Sequence, residues 1–99
     1  MAKIKLLFLS FLVVAMLVPI YLFFHIKNQA NQKTILLQQQ VSAWEEIVKS
    51  KPDYRDAWLQ LAKLHYEQQE INLAKFYVNK ALELDPNYEV AQEFKRRLP

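Results

Sequence analysis

Few side chains in this 99-residue chain could support catalysis or bind a metal ion. His25 and His65 are its only histidines and stand forty residues apart, whereas zinc sites draw several His or Cys ligands at short characteristic spacings. The chain has no Cys, which excludes thiolate ligands, cysteine nucleophiles and disulfides. It also has no Gly, which excludes the usual Gly-rich phosphate loops. We therefore expect no metal, no cofactor, and a His65 that fills an aromatic position in a core.

The acidic side chains fit a solvated surface better than a catalytic pair. Glu45, Glu46, Glu67 and Glu70 lie near basic residues on predicted helices. General acid or base catalysis needs a cleft that shifts the pKa of a carboxyl group, and a few short packed helices leave little room for one. No nucleophile is paired with a base. We predict that the protein is not an enzyme and that its chemistry is binding.

Residues 6–24, LLFLSFLVVAMLVPIYLFF, form an uncharged apolar run that follows a short basic N-terminus at residues 1–5. As a helix these nineteen positions span about 28 Å, close to the roughly 30 Å hydrocarbon thickness of a bilayer. Pro19 would kink the helix, which membrane spans tolerate. The run predicts a single-pass transmembrane helix.

A cleaved signal peptide is the alternative for the same run, because MAKIK is a short basic start. Signal peptides have apolar regions of about 7 to 15 residues that end at a small-residue cleavage site. Here the run is longer and ends in the bulky YLFFHIK. These two features favour an uncleaved anchor, and the intact mass of the mature chain would discriminate the two.

The net charge of +3 is unevenly distributed along the chain. Residues 1–44 carry four lysines and no acid, while residues 45–99 carry nine Lys and Arg against ten Asp and Glu. The excess positive charge therefore flanks the apolar run, where it suits anionic lipid headgroups better than nucleic acid. Arg96 and Arg97 are too few, in a near-neutral domain, to predict a nucleic-acid site.

The orientation in the membrane depends on a nearly balanced lysine count. Lys3 and Lys5 precede the apolar run, and Lys27 and Lys33 follow it. Positive flanks stay cytoplasmic, and the first pair lies directly against the run. We therefore expect a cytoplasmic N-terminus and an extracytoplasmic C-terminal domain.

Residues 25–34, HIKNQANQKT, form a polar segment without Gly or Pro, which is either a helical stalk or a linker with a short flexible break. The helical domain predicted for residues 35–99 then begins with a helix at residues 35–50. The apolar residues of that helix recur every three or four positions, at Leu37, Val41, Trp44 and Val48.

A shift of 34 residues aligns the sequence with itself. It matches Pro52-Asp53-Tyr54 with Pro86-Asn87-Tyr88, and Ala57 with Ala91. Between the two prolines, two apolar helical faces recur at three- and four-residue spacing, which predicts a pair of packed helices. Asp53 and Asn87 are the predicted N-caps. The residues of the two faces are Trp58, Leu61, Ala62 and His65, then Ile71, Ala74, Val78, Ala81 and Leu82.

This pattern resembles the tetratricopeptide repeat (TPR) family. The matching residues of the repeat at positions 55–88 are Trp58, Leu61, Ala62, Ala74, Ala81, Leu82 and Pro86. Departures are His65 beside Tyr66, Val78 in place of a Phe, and Gln69 where the corner often has Gly. The resemblance implies an all-α fold, in which residues 89–98 form a polar capping helix after the repeat.

The resemblance also implies a peptide-binding groove along the first helix of the pair. The implied partner-binding residues are Asp56, Leu59, Lys63, Tyr66 and Glu67. Helical spacing independently puts Leu59, Lys63 and Tyr66 on a face distinct from that of Trp58, Leu61 and Ala62. Leu59 and Tyr66 would be exposed anchors for a mixed apolar and acidic peptide; alternatively, they contact the C-terminal helix or face solvent.

Repeat stacks usually need about three units, so this shorter array predicts a homo-oligomer or a larger membrane complex. The leading hypothesis is a membrane-anchored interaction or assembly scaffold with a protein or peptide partner. One alternative is a receptor for transported polypeptides with a cytosolic domain, which resembles mitochondrial import receptors with an N-terminal anchor and one repeat. Another is a secreted repeat protein whose signal has been cleaved.

Overall fold

The computed structural model describes residues 2–99, and these are almost entirely helical. Four helices follow one another: α1 (Ala2–Ser50), α2 (Arg55–Glu67), α3 (Ile71–Leu84) and α4 (Glu89–Arg97). No strand occurs in that range, so the predicted all-α fold is confirmed. The chain divides into two compact units, Met1–Lys33 and Thr34–Pro99.

The first unit consists of the N-terminal part of α1, whose large apolar side chains are exposed from Ile4 to Ile26. The helix is long and apolar enough to cross a membrane, judged by length and composition, a test that a signal sequence near an N-terminus also passes. Pro19 lies inside the helix without ending it. Residues 25–34 are helical as well, which matches the stalk alternative for this segment.

The second unit has two hydrophobic clusters, and α2 contributes to both. The first cluster joins the C-terminal part of α1 to α2, and the apolar stripe predicted for residues 35–50 supplies its α1 half, with Trp44 partly buried. The second cluster joins α2 to α3 and α4. The buried residues are Leu37, Val41, Val48, Ala57, Leu61 and Leu64 in the first cluster, and Leu59, Ala62, Val78, Ala81 and Ala91 in the second.

The positions that carried the repeat pattern form the packed face of the α2–α3 pair. Leu61, Ala62, Ala74, Val78 and Ala81 are fully buried. The alanines have side chains short enough for two helix backbones to approach closely, which favours dispersion contacts along the whole interface. Of the other pattern residues, Trp58 and Leu82 are partly buried, and Pro86 is exposed in the turn before α4.

The 34-residue period is visible in the hydrogen bonds of the two turns. The Tyr54 amide donates to the Lys51 carbonyl and the Tyr88 amide to the Asp85 carbonyl, both at 3.1 Å. Six residues after each proline, a side-chain nitrogen donates back to the proline carbonyl: Trp58 Nε1 to Pro52 at 2.8 Å and Gln92 Nε2 to Pro86 at 2.5 Å. The two turns, one 34-residue period apart, are therefore closed in the same way.

The predicted N-caps are wrong. The residues that precede α2 and α4 are Tyr54 and Tyr88, and neither helix has a side-chain capping bond. Asp53 and Asn87 instead occupy the middle of the backbone-closed turns, one residue too early to reach the first-turn amides. The Asn87 amide itself donates to Asp85 Oδ1 at 3.1 Å.

Two backbone hydrogen bonds close the C-terminus of α2 at the turn that leads to α3. The Gln69 amide donates to the Tyr66 carbonyl and the Glu70 amide to the His65 carbonyl, both at 2.9 Å. This pair of bonds forms a Schellman motif, which requires a left-handed residue after the helix and usually has Gly there. Gln69 takes that conformation, with φ 64°. The corner therefore has the geometry of a Gly-containing turn without the Gly.

Candidate binding groove between α2 and α4

Leu59 is not an exposed anchor, contrary to the sequence expectation. It is only 1% exposed and belongs to the cluster with Val78 and Ala91. The side of α2 that spacing left free is covered because α4 folds against it, and the small Ala91 leaves room for the leucine. The alternative in which Leu59 contacts the C-terminal helix is the one found. A role in partner binding therefore needs other side chains at the surface.

Asp56 is engaged in a cluster that joins the start of α2 to the turn before α4. Arg55 lies over the Tyr88 ring at 3.9 Å from its centre and pairs with both Asp85 and Asp56. Burial raises the pKa of Tyr88 to about 12, helped by a hydrogen bond to the Asp56 carboxylate. Since its charge is already shared in this way, Asp56 positions the two helices and presents little free charge to a partner.

Lys63 and Tyr66 lie at the boundary of α2 and α4. Lys63 lines an open cleft of about 670 Å³ whose other walls are α4 side chains. Tyr66 is 45% exposed, and its ring meets that of Phe94 edge to face with centres 5.8 Å apart. Glu67 is exposed one residue further along α2 and does not line the cleft. The α4 residues of the cleft are Glu89, Val90, Gln92, Glu93, Phe94, Arg96 and Arg97.

Most of the charge in this groove is internally paired. Glu93 accepts from Arg96 at 2.6 Å and lies 3.3 Å from Arg97. The Arg96 hydrogen bond and charge, followed by the Arg97 charge, lower the pKa of the Glu93 carboxyl. Among residues 2–99, neither Lys63 nor Glu89 has an ion-pair partner. The groove therefore has three cations against two carboxylates, a net positive charge beside Val90, which is 54% exposed.

Sequence reasoning missed the α4 side of this groove because it assigned α4 only a capping role. The signal was present in the 34-residue period, which sets Asp56, Leu59 and Lys63 against Val90, Glu93 and Arg97. All three α4 residues line the cleft. The positions that the family resemblance assigned to binding on α2 are thus repeated on α4, where they are more exposed.

His65 is buried and packed, as the sequence predicted. Its ring stacks on Tyr77 at a centre distance of 5.0 Å, and Nδ1 lies 3.6 Å from a Glu70 carboxylate oxygen. Neither ring nitrogen has a hydrogen-bond partner. No group of three or more His, Cys, Asp or Glu side chains suited to a metal ion occurs within residues 2–99. The His65 ring therefore packs against Tyr77.

Comparison with known proteins finds no family model that matches the chain, and no curated protein matches it. The resemblance to tetratricopeptide repeats therefore stays a prediction from the sequence pattern.

Proposed function

We propose that this protein is a membrane-anchored scaffold of the tetratricopeptide type that binds a partner polypeptide in the groove between α2 and α4. The observation that carries the proposal is the cleft in which Lys63 of α2 meets Val90 and Phe94 of α4. The repeat assignment is supported by the 34-residue recurrence of the two turns and of their proline-directed hydrogen bonds.

The partner is a peptide segment that places an acidic side chain next to an apolar one. Lys63 is the unpaired cation for the acidic group, and Val90 with the Tyr66 and Phe94 rings is the apolar surface. A partly desolvated charge next to aromatic rings is the usual composition of a strong contact within a protein interface.

The anchor in this proposal is the apolar helix at residues 6–24, uncleaved and crossing the membrane once. Its length and its bulky end support an anchor over a signal peptide. Lys3 and Lys5, directly before the run, support a cytoplasmic N-terminus and an extracytoplasmic domain.

The test is photo-crosslinking in native membranes, with a crosslinker at Val90 and identification of the captured polypeptide. Lys63→Glu should abolish capture, because it reverses the charge that meets the acidic group. Lys75→Glu is the matched control, since Lys75 is an exposed lysine on α3 outside the cleft. Capture that survives Lys63→Glu, in a protein with unchanged circular dichroism, would refute the groove.

A receptor for transported polypeptides is the second candidate. A receptor needs a cytosolic domain, and the apolar run has two lysines on each side, so the lysine count permits that orientation. Protease digestion of the domain from the cytoplasmic side of sealed vesicles would support the receptor over the extracytoplasmic scaffold. A mature mass lacking the apolar run would indicate a secreted protein.

A further inference from the structure

The C-terminal part of α1 has an uncharged, mostly apolar face that no other helix of residues 2–99 covers fully. We name it the open stripe: Leu36, Gln40, Ala43 and Ile47. Leu36 is 55% exposed, Gln40 and Ala43 are exposed, and Ile47 is partly buried. The stripe lies beside the row of Leu37, Val41 and Val48 that packs on α2.

The repeat indicates what kind of contact this face makes. The 34-residue shift sets Gln40, Ala43 and Ile47 against Ala74, Tyr77 and Ala81 of α3. In α3, Ala74 and Ala81 are fully buried and Tyr77 is partly buried against α2. The corresponding face of α1 is therefore one that the repeat uses for packing on a helix, left without its partner.

The spacing and chemistry of the open stripe suit a second copy of the same helix. Its residues are four, three and four positions apart, the spacing of a coiled-coil seam. The stripe carries no charge, and the Gln40 amide has both donors and an acceptor, so two such amides can pair with each other.

The charges beside the stripe match a parallel arrangement. Glu46 lies immediately before Ile47 on one side, and Lys51 follows the last turn on the other, the flanking positions whose charges pair between parallel strands. Within one copy, Glu46 has only the exposed Lys49 as partner, at 3.4 Å, and Lys51 has no ion pair among residues 2–99. A second copy offers each a further partner of opposite charge.

We propose that the open stripe joins two copies of this chain in a short parallel coiled coil. The inference rests on the anchoring half of the proposed function, because copies held in one bilayer with one orientation carry the stripe at the same sequence distance, twelve residues after Phe24. A seam of two heptads is marginal in free solution, and confinement to one membrane raises the effective concentration of the partner helix.

The absence of native cysteine makes the test direct. In the full chain in native membranes, single cysteines replace Leu36 or Ala43 in the stripe, and Gln38 or Ser42 on the other side of the helix as matched controls. Mild oxidation should link Cys variants of the first pair into dimers several times faster than those of the second, because a disulfide needs Cα atoms within about 7 Å. Adding Ala43→Glu to Leu36→Cys should abolish the dimer.

Equal linking at all four sites, or none at the two stripe sites, would overturn the coiled coil. Carbonate extraction of the same membranes separates the causes: a chain that resists extraction but does not link retains its anchor and lacks the dimer. A chain that is extracted loses both the anchor and the dimer. Photo-crosslinking at Val90 tests partner binding in the groove independently of either result.

Discussion

At the scale of single residues, Gln69 carries an unfavourable backbone conformation. Its φ of 64° lies in the left-handed region, which costs a residue with a Cβ roughly 1–2 kcal/mol and costs Gly little. Gln69→Gly should therefore raise the free energy of unfolding by about 1 kcal/mol, less the entropy that Gly adds to the unfolded chain. Chemical denaturation of the full chain in detergent measures the change.

Gln68 provides the control for that substitution. It is the preceding residue, with φ −82°, where Gly has no conformational advantage. Gln68→Gly should lower the stability by about 0.5–1 kcal/mol. A Gln69→Gly variant that is destabilised to the same extent as Gln68→Gly would contradict the explanation.

His65 is the second residue whose local chemistry is unfavourable. Both ring nitrogens are buried without a hydrogen bond, while the ring itself stacks on Tyr77. His65→Phe keeps the stack and removes the unsatisfied polar atoms, so it should stabilise the domain by about 1 kcal/mol. His65→Ala removes the stack and leaves a cavity, and should destabilise it by roughly 2 kcal/mol or more. Thermal unfolding that ranks Phe below His would show that the Glu70 contact outweighs the missing hydrogen bonds.

At the scale of the helices, Leu59 and Tyr66 of α2 have different predicted roles: Leu59 packs in the core and Tyr66 contacts the partner. Leu59 is buried, so Leu59→Ala should cost about 3 kcal/mol of stability. Tyr66 is 45% exposed, so Tyr66→Ala should cost less than about 1.5 kcal/mol and reduce crosslinking at Val90. Denaturation should show the larger loss of stability for Leu59→Ala, and crosslinking at Val90 should show the larger loss of capture for Tyr66→Ala. Equal stability losses would place Tyr66 in the core.

Leu59 and Tyr66 also show which part of the site could be predicted from the sequence and which part could not. Spacing identified α2, α3 and α4 and the buried row of α1, because apolar periodicity is a property of each helix alone. It put Leu59 and Tyr66 on one face but could not say which neighbour covers that face. That depends on how α4 docks, and α4 buries Leu59 while leaving Tyr66 at its edge. The prediction of Asp53 and Asn87 as N-caps was wrong for a similar reason, because the two turns are closed by backbone hydrogen bonds that the sequence pattern does not show.

At the scale of the whole molecule, two tyrosines link the stability of the domain to pH. Burial, followed by the Asp56 hydrogen bond, raises the pKa of Tyr88 from 10.0 to about 12. Burial, followed by the charges of Glu45 and Glu70, also raises the pKa of Tyr77. Between pH 10 and about 12 the unfolded chain therefore loses the Tyr88 proton before the folded chain does, and the Tyr77 proton likewise leaves the unfolded chain first. The stability that these tyrosines contribute is complete below pH 10 and is lost as the pH rises through this window.

Denaturation midpoints across this alkaline range test the linkage. Tyr88→Phe has no phenol proton to lose, so its stability should fall less steeply with pH than that of the natural sequence. Tyr66→Phe is the control, since Tyr66 is exposed and is not among the groups that raise the pKa of Tyr88. Identical slopes for all three proteins would place the alkaline transition elsewhere in the chain.

The orientation of the whole chain should be unusually sensitive to single charges. Two lysines precede the apolar run and two follow it, so the bias that sets the orientation is small. Replacing Lys27 and Lys33 by Gln should make the cytoplasmic N-terminus uniform, whereas replacing Lys3 and Lys5 should move a measurable fraction of the C-terminal domain to the cytoplasmic side. Protease protection in sealed vesicles measures both, with Lys75→Gln as a control far from the run. If the second replacement leaves the domain fully protected, some determinant other than the lysine flanks sets the topology, and the receptor alternative loses its support.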